Sequence, residues 1–264
     1  MSVLDKLGRK VERILLIGHT AHGKTYTATR VAINLANKGL KVIYIDNEKG
    51  ALDEFENLAK SGALTKKIDS NIIYVNPANF LELKDYALNY QDKVDCIIID
   101  PLSFNVEARL TAKEKLLERG KRILGEAEVP IDDPTTFHLR GFDYQLPNEW
   151  QAELVRGLAK GKVHFLVTEL IPLKVIDDLG REAKRMGIDK ILASYDENRI
   201  PKRLREIMEL FGYFDRVILC ERSGNSFYGV VLKWRGKNIV GETVDNVAKF
   251  ILESTKICKK VGGE

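Results

Sequence analysis

The chain has 264 residues, a formal net charge of +4, and is 44% hydrophobic and 30% charged, the balance of a soluble globular protein long enough to bury its own core. It has no apolar run of membrane-spanning length and no apolar leader, which argues against a membrane helix and a secretory signal. Cys96, Cys220 and Cys258 are odd in number and widely spaced; with four histidines in no ligand pattern, they speak against a disulfide framework or a zinc site and suit the reducing cytoplasm.

In chain order, strands and helices alternate. Residues 13–18, "RILLIG", form a short β-rich run. A loop follows, then a helical stretch from about 24 to 38, and a second strand in "KVIYIDN" (41–47). "GALDEFENLAKSG" reads as a helix ending at a glycine. A third strand, "NIIYVN" (71–76), precedes the helical "NFLELKDYALNY", and "VDCIIID" (94–100) is a fourth strand. Its apolar residues run without alternation, as in a parallel sheet covered on both faces. Residues 106–127 are helical and charged, and 129–147 are rich in turn formers. "NEWQAELVRGLAKG" reads as a helix starting near an asparagine cap, and "KVHFLVTEL" (162–170) as a fifth strand. Residues 171–207 are basic and punctuated. "FDRVILCER" and "SFYGVVLKWRG" read as a hairpin joined by "SGN", and "TVDNVAKFILESTKICKK" as a closing helix. The expectation is one α/β domain over residues 1–264: a mostly parallel twisted sheet with helices on both faces and a C-terminal antiparallel hairpin. Residues 1–10 would be an N-terminal extension, and 103–147 and 171–205 variable excursions.

The loop after the first strand reads "GHTAHGKT", residues 18–25. It meets G-x-x-x-x-G-K-[ST] at every fixed position, with a strand before it and a helix after it. Gly18 and Gly23 let the backbone curl so that successive N–H groups and the helix N-terminus point at phosphate oxygens. Lys24 supplies a point charge for the β- and γ-phosphates. Thr25 offers a hydroxyl to Mg²⁺, which prefers oxygen ligands. The candidate ATP-contacting set is Gly18, His19, Thr20, Ala21, His22, Gly23, Lys24, Thr25 and Tyr26. His19 and His22 fill free positions of the loop and need no chemical role. A dinucleotide turn fails on spacing, although Asp46 ends the second strand where a ribose-binding acid could stand.

A P-loop also needs an acid at the end of an apolar strand to hold the metal's water shell, and Asp100 fits. Hydrolysis further needs a group that orients water. Glu48, two residues past the second strand, is expected on the same sheet edge as the loop, in reach of a water in line with the γ-phosphate.

"YIDNEKGALDEF" and "VDCIIIDPLS" together resemble RecA and its relatives, in which the Glu after the second strand positions the water and the acid-ended strand serves the metal. "HFLVTEL" stands where those proteins carry a strand ending in a polar, phosphate-sensing pair. RecA's pair includes a glutamine. Here it is Thr168-Glu169, and a carboxylate near phosphate is repulsive unless paired or bridged. The order of later segments, with "IPKRLREIMELFGYFDRVILCE", is similar to compact RecA-type ATPases of phages and archaeal viruses or plasmids, some of which anneal single strands. The resemblance covers about residues 11 to 240. It implies Mg-dependent ATP hydrolysis, single-stranded DNA as a possible partner, and a homo-oligomer with nucleotide at or near the subunit interface. KaiC-type proteins resemble the core too, so a nucleotide-driven switch stands as an alternative, as does a small-molecule kinase.

DNA-facing loops in such cores follow the fourth and fifth strands. The first segment offers Arg140 beside Phe137, His138 and Tyr144. The second offers Lys174, Arg181, Lys184, Arg185, Lys190, Arg199, Lys202, Arg203 and Arg205. Cations near aromatics suit phosphate pairing with base stacking, although interspersed acids also suit a plain solvated surface. A cation reaching a neighbour's nucleotide is sought first at Lys174 and in 199–205.

Overall fold

The computed structural model of the chain describes residues 11–103, 145–170, 211–237 and 239–259. Their strands form one eight-stranded sheet in the order β3-β2-β4-β5-β1-β6-β7-β8. The strands are β1 (Arg13–Gly18), β2 (Val42–Asp46), β3 (Ile72–Val75), β4 (Cys96–Asp100), β5 (His164–Leu170), β6 (Arg216–Ser223), β7 (Ser226–Trp234) and β8 (Thr243–Val244). The helices are α1 (Lys24–Asn37), α2 (Gly50–Lys60), α3 (Lys66–Asp69), α4 (Phe80–Asn89), α5 (Gln145–Lys160) and α6 (Val247–Ser254). Strands β1 to β6 pair in parallel wherever they touch, and β7 and β8 add an antiparallel margin.

The apolar strands divide their side chains by parity, as a pleated sheet requires. Leu15, Ile17, Ile43, Ile45, Ile97, Ile99, Phe165 and Val167 enter a core with Phe80 and Leu83 of α4 and Leu154, Val155 and Leu158 of α5. Ile14, Leu16, Val42, Tyr44, Ile98 and Leu166 enter the opposite core with Val31, Ala32 and Leu35 of α1 and Val247 and Ile251 of α6. Both faces are therefore covered, which explains why the central strands show no polar alternation.

The structure moves several boundaries. Helix α5 begins at Gln145, so 145–147, expected to close a turn-rich excursion, form its first turn. A proline there removes an N–H that a helix start leaves unbonded anyway. The closing helix is shorter than its sequence pattern: Thr243 and Val244 pair with β7, and the Asn246 side chain caps α6 by accepting from the Lys249 N–H at 3.0 Å. The hairpin turn is Gly224-Asn225, between paired Ser223 and Ser226, with Gly224 at φ 58°. The short α3 and β8 were not foreseen. The cationic and aromatic residues of the two expected DNA-facing segments, Arg140 and Lys174 to Arg205 included, lie outside the described residues.

Candidate phosphate-binding site

Parallel strands bring their C-terminal ends to one edge, and the sequence puts its polar residues there. In register, Asp46 of β2 faces Asp100 of β4, and Ile99 faces Val167, which sets Asp100 level with Thr168 of β5. On the far side of β5, Ile17 faces Glu169 and Gly18 faces Leu170. Two acids, a threonine, a glutamate and the start of the glycine loop thus form a row across four neighbouring strands. A sheet's carboxyl edge is where open α/β folds bind ligands.

The loop between β1 and α1 is tightly built. Ala21 and Gly23 both take positive φ, 61° and 82°. A Cβ at Gly23 would come within 2.7 Å of the Phe227 ring, and one at Gly18 within 2.6 Å of the Cys220 carbonyl oxygen. Only glycine lets the chain pass at either place. The first α1 hydrogen bond runs from the Thr27 N–H to the Gly23 carbonyl at 2.9 Å, so the N–H groups of Lys24, Thr25 and Tyr26 have no intrahelical acceptor. Gly23, the N-cap, has no side chain with which to cap this helix start, and no acid sits in its first turn. A helix start of this kind, with its dipole and its first N–H groups directed outward, favours an anion.

Lys24 is buried. Its ammonium donates to the carbonyl oxygens of Gly18 at 3.1 Å and His19 at 2.9 Å. Burial lowers its pKa, while Asp100, Glu169 and Glu48 pull it back up. Asp100, also buried, accepts from the Tyr44 hydroxyl at 2.7 Å on Oδ2 and from the Thr168 hydroxyl on Oδ1. Burial raises its pKa; the hydroxyls of Thr168, Tyr44 and Thr25 oppose that shift. Thr25, at the helix start, thus meets the carboxylate at the end of β4. This pair suits a hard cation that keeps most of its own water. Among the described residues no group of three or more His, Cys, Asp or Glu is placed to cage a metal, so a cation here would depend on phosphate oxygens as well.

Asp46 is committed elsewhere. Its Oδ1 accepts from the Glu48 N–H at 3.1 Å, and its Oδ2 from the Ala51 N–H at 2.9 Å and the Tyr74 hydroxyl at 2.9 Å. It therefore shapes the β2–α2 turn rather than offering itself to a ribose. That turn, with Lys49 at φ 60°, holds Glu48 exposed on the same edge as Lys24. Glu169 is buried, and burial lifts its carboxyl to about 7 against the nearby Ser103 hydroxyl and Lys24 ammonium. Its Oε2 has no hydrogen-bond partner among the described residues. His19 and His22 rings stand edge to face, 5.6 Å apart. Tyr26 is partly exposed and packs on Phe227 at 5.4 Å, under the Arg30 guanidinium at 4.9 Å.

Sequence reasoning missed Tyr44 and Phe227. Tyr44 left a signal, a polar-tipped residue on the same face of β2 as Asp46. Phe227 left none, because its approach to Gly23 depends on how the hairpin folds over the loop.

Strand order, the glycine loop after β1 and the acid-ended β4 define a RecA-like P-loop fold. The chain is 33% identical over 93 residues to a protein described as DNA repair and recombination protein RadB of Methanobrevibacter smithii. That match takes in 32% of this chain and only 39% of the relative's length. Among solved structures, a RadB recombinase is similar at 14% identity and TM-score 0.48, covering 91% of this chain and 90% of that one. A KaiC-like protein of Pyrococcus horikoshii OT3 is similar at 14% identity and TM-score 0.46, covering 87% and 82%. With both scores below 0.5, the fold rests on the strand order and the loop themselves. No protein-family model matches the chain.

Proposed function

We propose that the chain binds ATP with Mg²⁺ at residues 18–26 and hydrolyses it in work on DNA, in recombination, replication or strand annealing. The observation that carries this reading is the glycine-capped α1 start beside a buried Lys24, on the same edge as Asp100 and Glu48. The free N–H groups of the loop and helix bind phosphate oxygens. The Lys24 ammonium exchanges its loop carbonyls for the β- and γ-phosphates. Thr25 and Asp100 hold the cation's shell. Mg²⁺, when bound, neutralises charge building on the phosphate oxygens. Glu48, carried by the turn that Asp46 braces, accepts a hydrogen bond from the attacking water and aligns it.

The DNA part of the proposal is supported by the partial likeness to a protein described as acting in DNA repair and recombination. A homo-oligomer, with a cation of one subunit reaching the next subunit's nucleotide, belongs to the same proposal. So do a cytoplasmic setting and a viral or plasmid source. No helix among the described residues is long and apolar enough to cross a membrane.

The test is ATP hydrolysis by wild type and Glu48→Gln, with and without single-stranded DNA, at low and moderate salt. Expected is DNA stimulation that weakens steeply with salt, and a loss of about 10²–10⁴-fold in turnover for Glu48→Gln with nucleotide binding retained. Turnover indifferent to DNA overturns the DNA assignment. Turnover indifferent to the substitution overturns Glu48. Phosphate found on an acceptor other than water replaces hydrolysis with a kinase.

A further inference from the structure

The Tyr44 hydroxyl is not explained by packing. Its ring is fully buried between the sheet and α1, edge-on to Phe55 with centroids 5.3 Å apart and stacked on Tyr74 at 6.4 Å. A phenylalanine would fill that space equally well, without a polar atom to satisfy.

A hydrogen count shows where the hydroxyl is committed. Thr29 lies 3.4 Å from it, but the Thr29 hydroxyl donates to the Thr25 carbonyl at 2.9 Å. Each hydroxyl has one hydrogen. The hydrogen of Tyr44 goes to Asp100 Oδ2 at 2.7 Å, a full O–H···O hydrogen bond. The Thr29–Tyr44 approach is therefore a contact with no proton to share. On the other carboxylate oxygen, the Thr168 hydroxyl donates to Oδ1. The carboxylate is gripped on both oxygens, from β2 on one side of β4 and from β5 on the other. Through Thr29 the tyrosine also touches the backbone of Thr25.

Resting on the reading that Asp100 and Thr25 hold the cation, we infer that Tyr44 is a positioning residue for it. Tyr44 and Thr168 fix the plane of the Asp100 carboxylate so that it meets Thr25. Tyr44 thereby sets the affinity for the divalent cation bound with nucleotide, while touching neither.

Tyr74 provides the internal control. It is also an aromatic of this cluster, but its hydroxyl serves Asp46. The experiment is a Mg²⁺ titration of wild type, Tyr44→Phe and Tyr74→Phe, each holding a fluorescent ADP analogue, with the same binding measured in EDTA and thermal melting without nucleotide. Tyr44→Phe is expected to need about 10–100-fold more Mg²⁺ for half-saturation, the usual cost of losing a group that orients a ligand. Its affinity in EDTA should match wild type, and Tyr74→Phe should titrate as wild type. A Tyr44→Phe half-saturation equal to wild type overturns the inference, and so does an equal shift in Tyr74→Phe. A wild type whose nucleotide binding ignores Mg²⁺ overturns the cation site itself, and the inference falls with it. If Tyr44→Phe does not fold, Thr168→Val removes the hydroxyl on the other oxygen, with the same shift expected and its absence equally fatal.

Discussion

Lys24 and Glu169 are both buried beneath the glycine loop, and each bears on the other's charge. Burial is the larger influence on both, lowering the lysine and raising the glutamate to about 7. Near neutral pH a substantial fraction of Glu169 is therefore uncharged. An uncharged carboxyl donates a hydrogen bond much as an amide does, and it does not repel a phosphate. A glutamate can thus stand where RecA's polar pair includes a glutamine.

A pH dependence follows. The folded chain holds the Glu169 proton up to about 7, whereas the unfolded chain releases it near 4.5. The folded state binds more protons between those values, so this group's contribution to stability is full below about 4.5 and lost as pH rises to 7. Glu169→Gln removes the titration. The difference in unfolding free energy between the two proteins should swing by up to about 3 kcal/mol across that window, toward the variant at high pH. ATP affinity should fall above pH 7 in wild type and stay level in Glu169→Gln. Denaturant melts and nucleotide titrations at pH 5, 7 and 8.5 check both. Parallel pH profiles for the two proteins would remove Glu169 from the account.

The close approach of Phe227 to Gly23 makes the loop sensitive to a single methyl group. Gly23→Ala meets two obstacles, a φ of 82° and the Phe227 ring at 2.7 Å. Left-handed backbone alone costs about 1–2 kcal/mol for a residue with a Cβ. Gly23→Ala should melt lower and bind nucleotide at least about tenfold more weakly. Adding Phe227→Leu should recover part of the loss, the part due to contact, and leave the backbone strain. Calorimetry and nucleotide titration on the two single variants and the double variant separate the terms. Additive effects would mean that the ring does not press on the loop.

How much of this was legible beforehand depended on how local the cause was. The loop, Lys24, Thr25 and the end of β4 follow from short-range rules, because a glycine-bounded strand-to-helix turn reads in eight consecutive residues. Glu48 could be set on the correct edge because parallel strands share one. The partners of Asp100 could not be read this way. Tyr44 and Thr168 meet it from strands separated by 56 and 68 positions in sequence, and only the strand order β2-β4-β5 brings them together. The closing helix was read too long because Thr243 and Val244 are paired by β7, a contact no helical periodicity reveals.

At the opposite end of the sheet lies a second buried charge arrangement, separate from the loop. Arg216 of β6 pairs with Glu12 at 3.1 Å, and its guanidinium covers the Trp234 ring at 4.7 Å. Glu12 Oε1 also accepts from the Lys256 N–H at 3.1 Å, and the Glu12 N–H donates to His164 Nδ1 at 3.0 Å. Strands β1, β5 and β6 and the segment after α6 are thereby tied together. Glu12→Gln keeps the shape but leaves Arg216 buried without its counter-charge, a change that costs about 3–5 kcal/mol. The expected result is a marked drop in unfolding free energy with nucleotide affinity unchanged below the melt, because the substituted residue precedes β1 while the loop follows it. Replacing the pair together, Glu12→Gln with Arg216→Met, removes the stranded charge and should recover much of the loss. Equal destabilisation in the single and double variants would show that the Glu12 hydrogen bonds, rather than the ion pair, hold this end of the sheet.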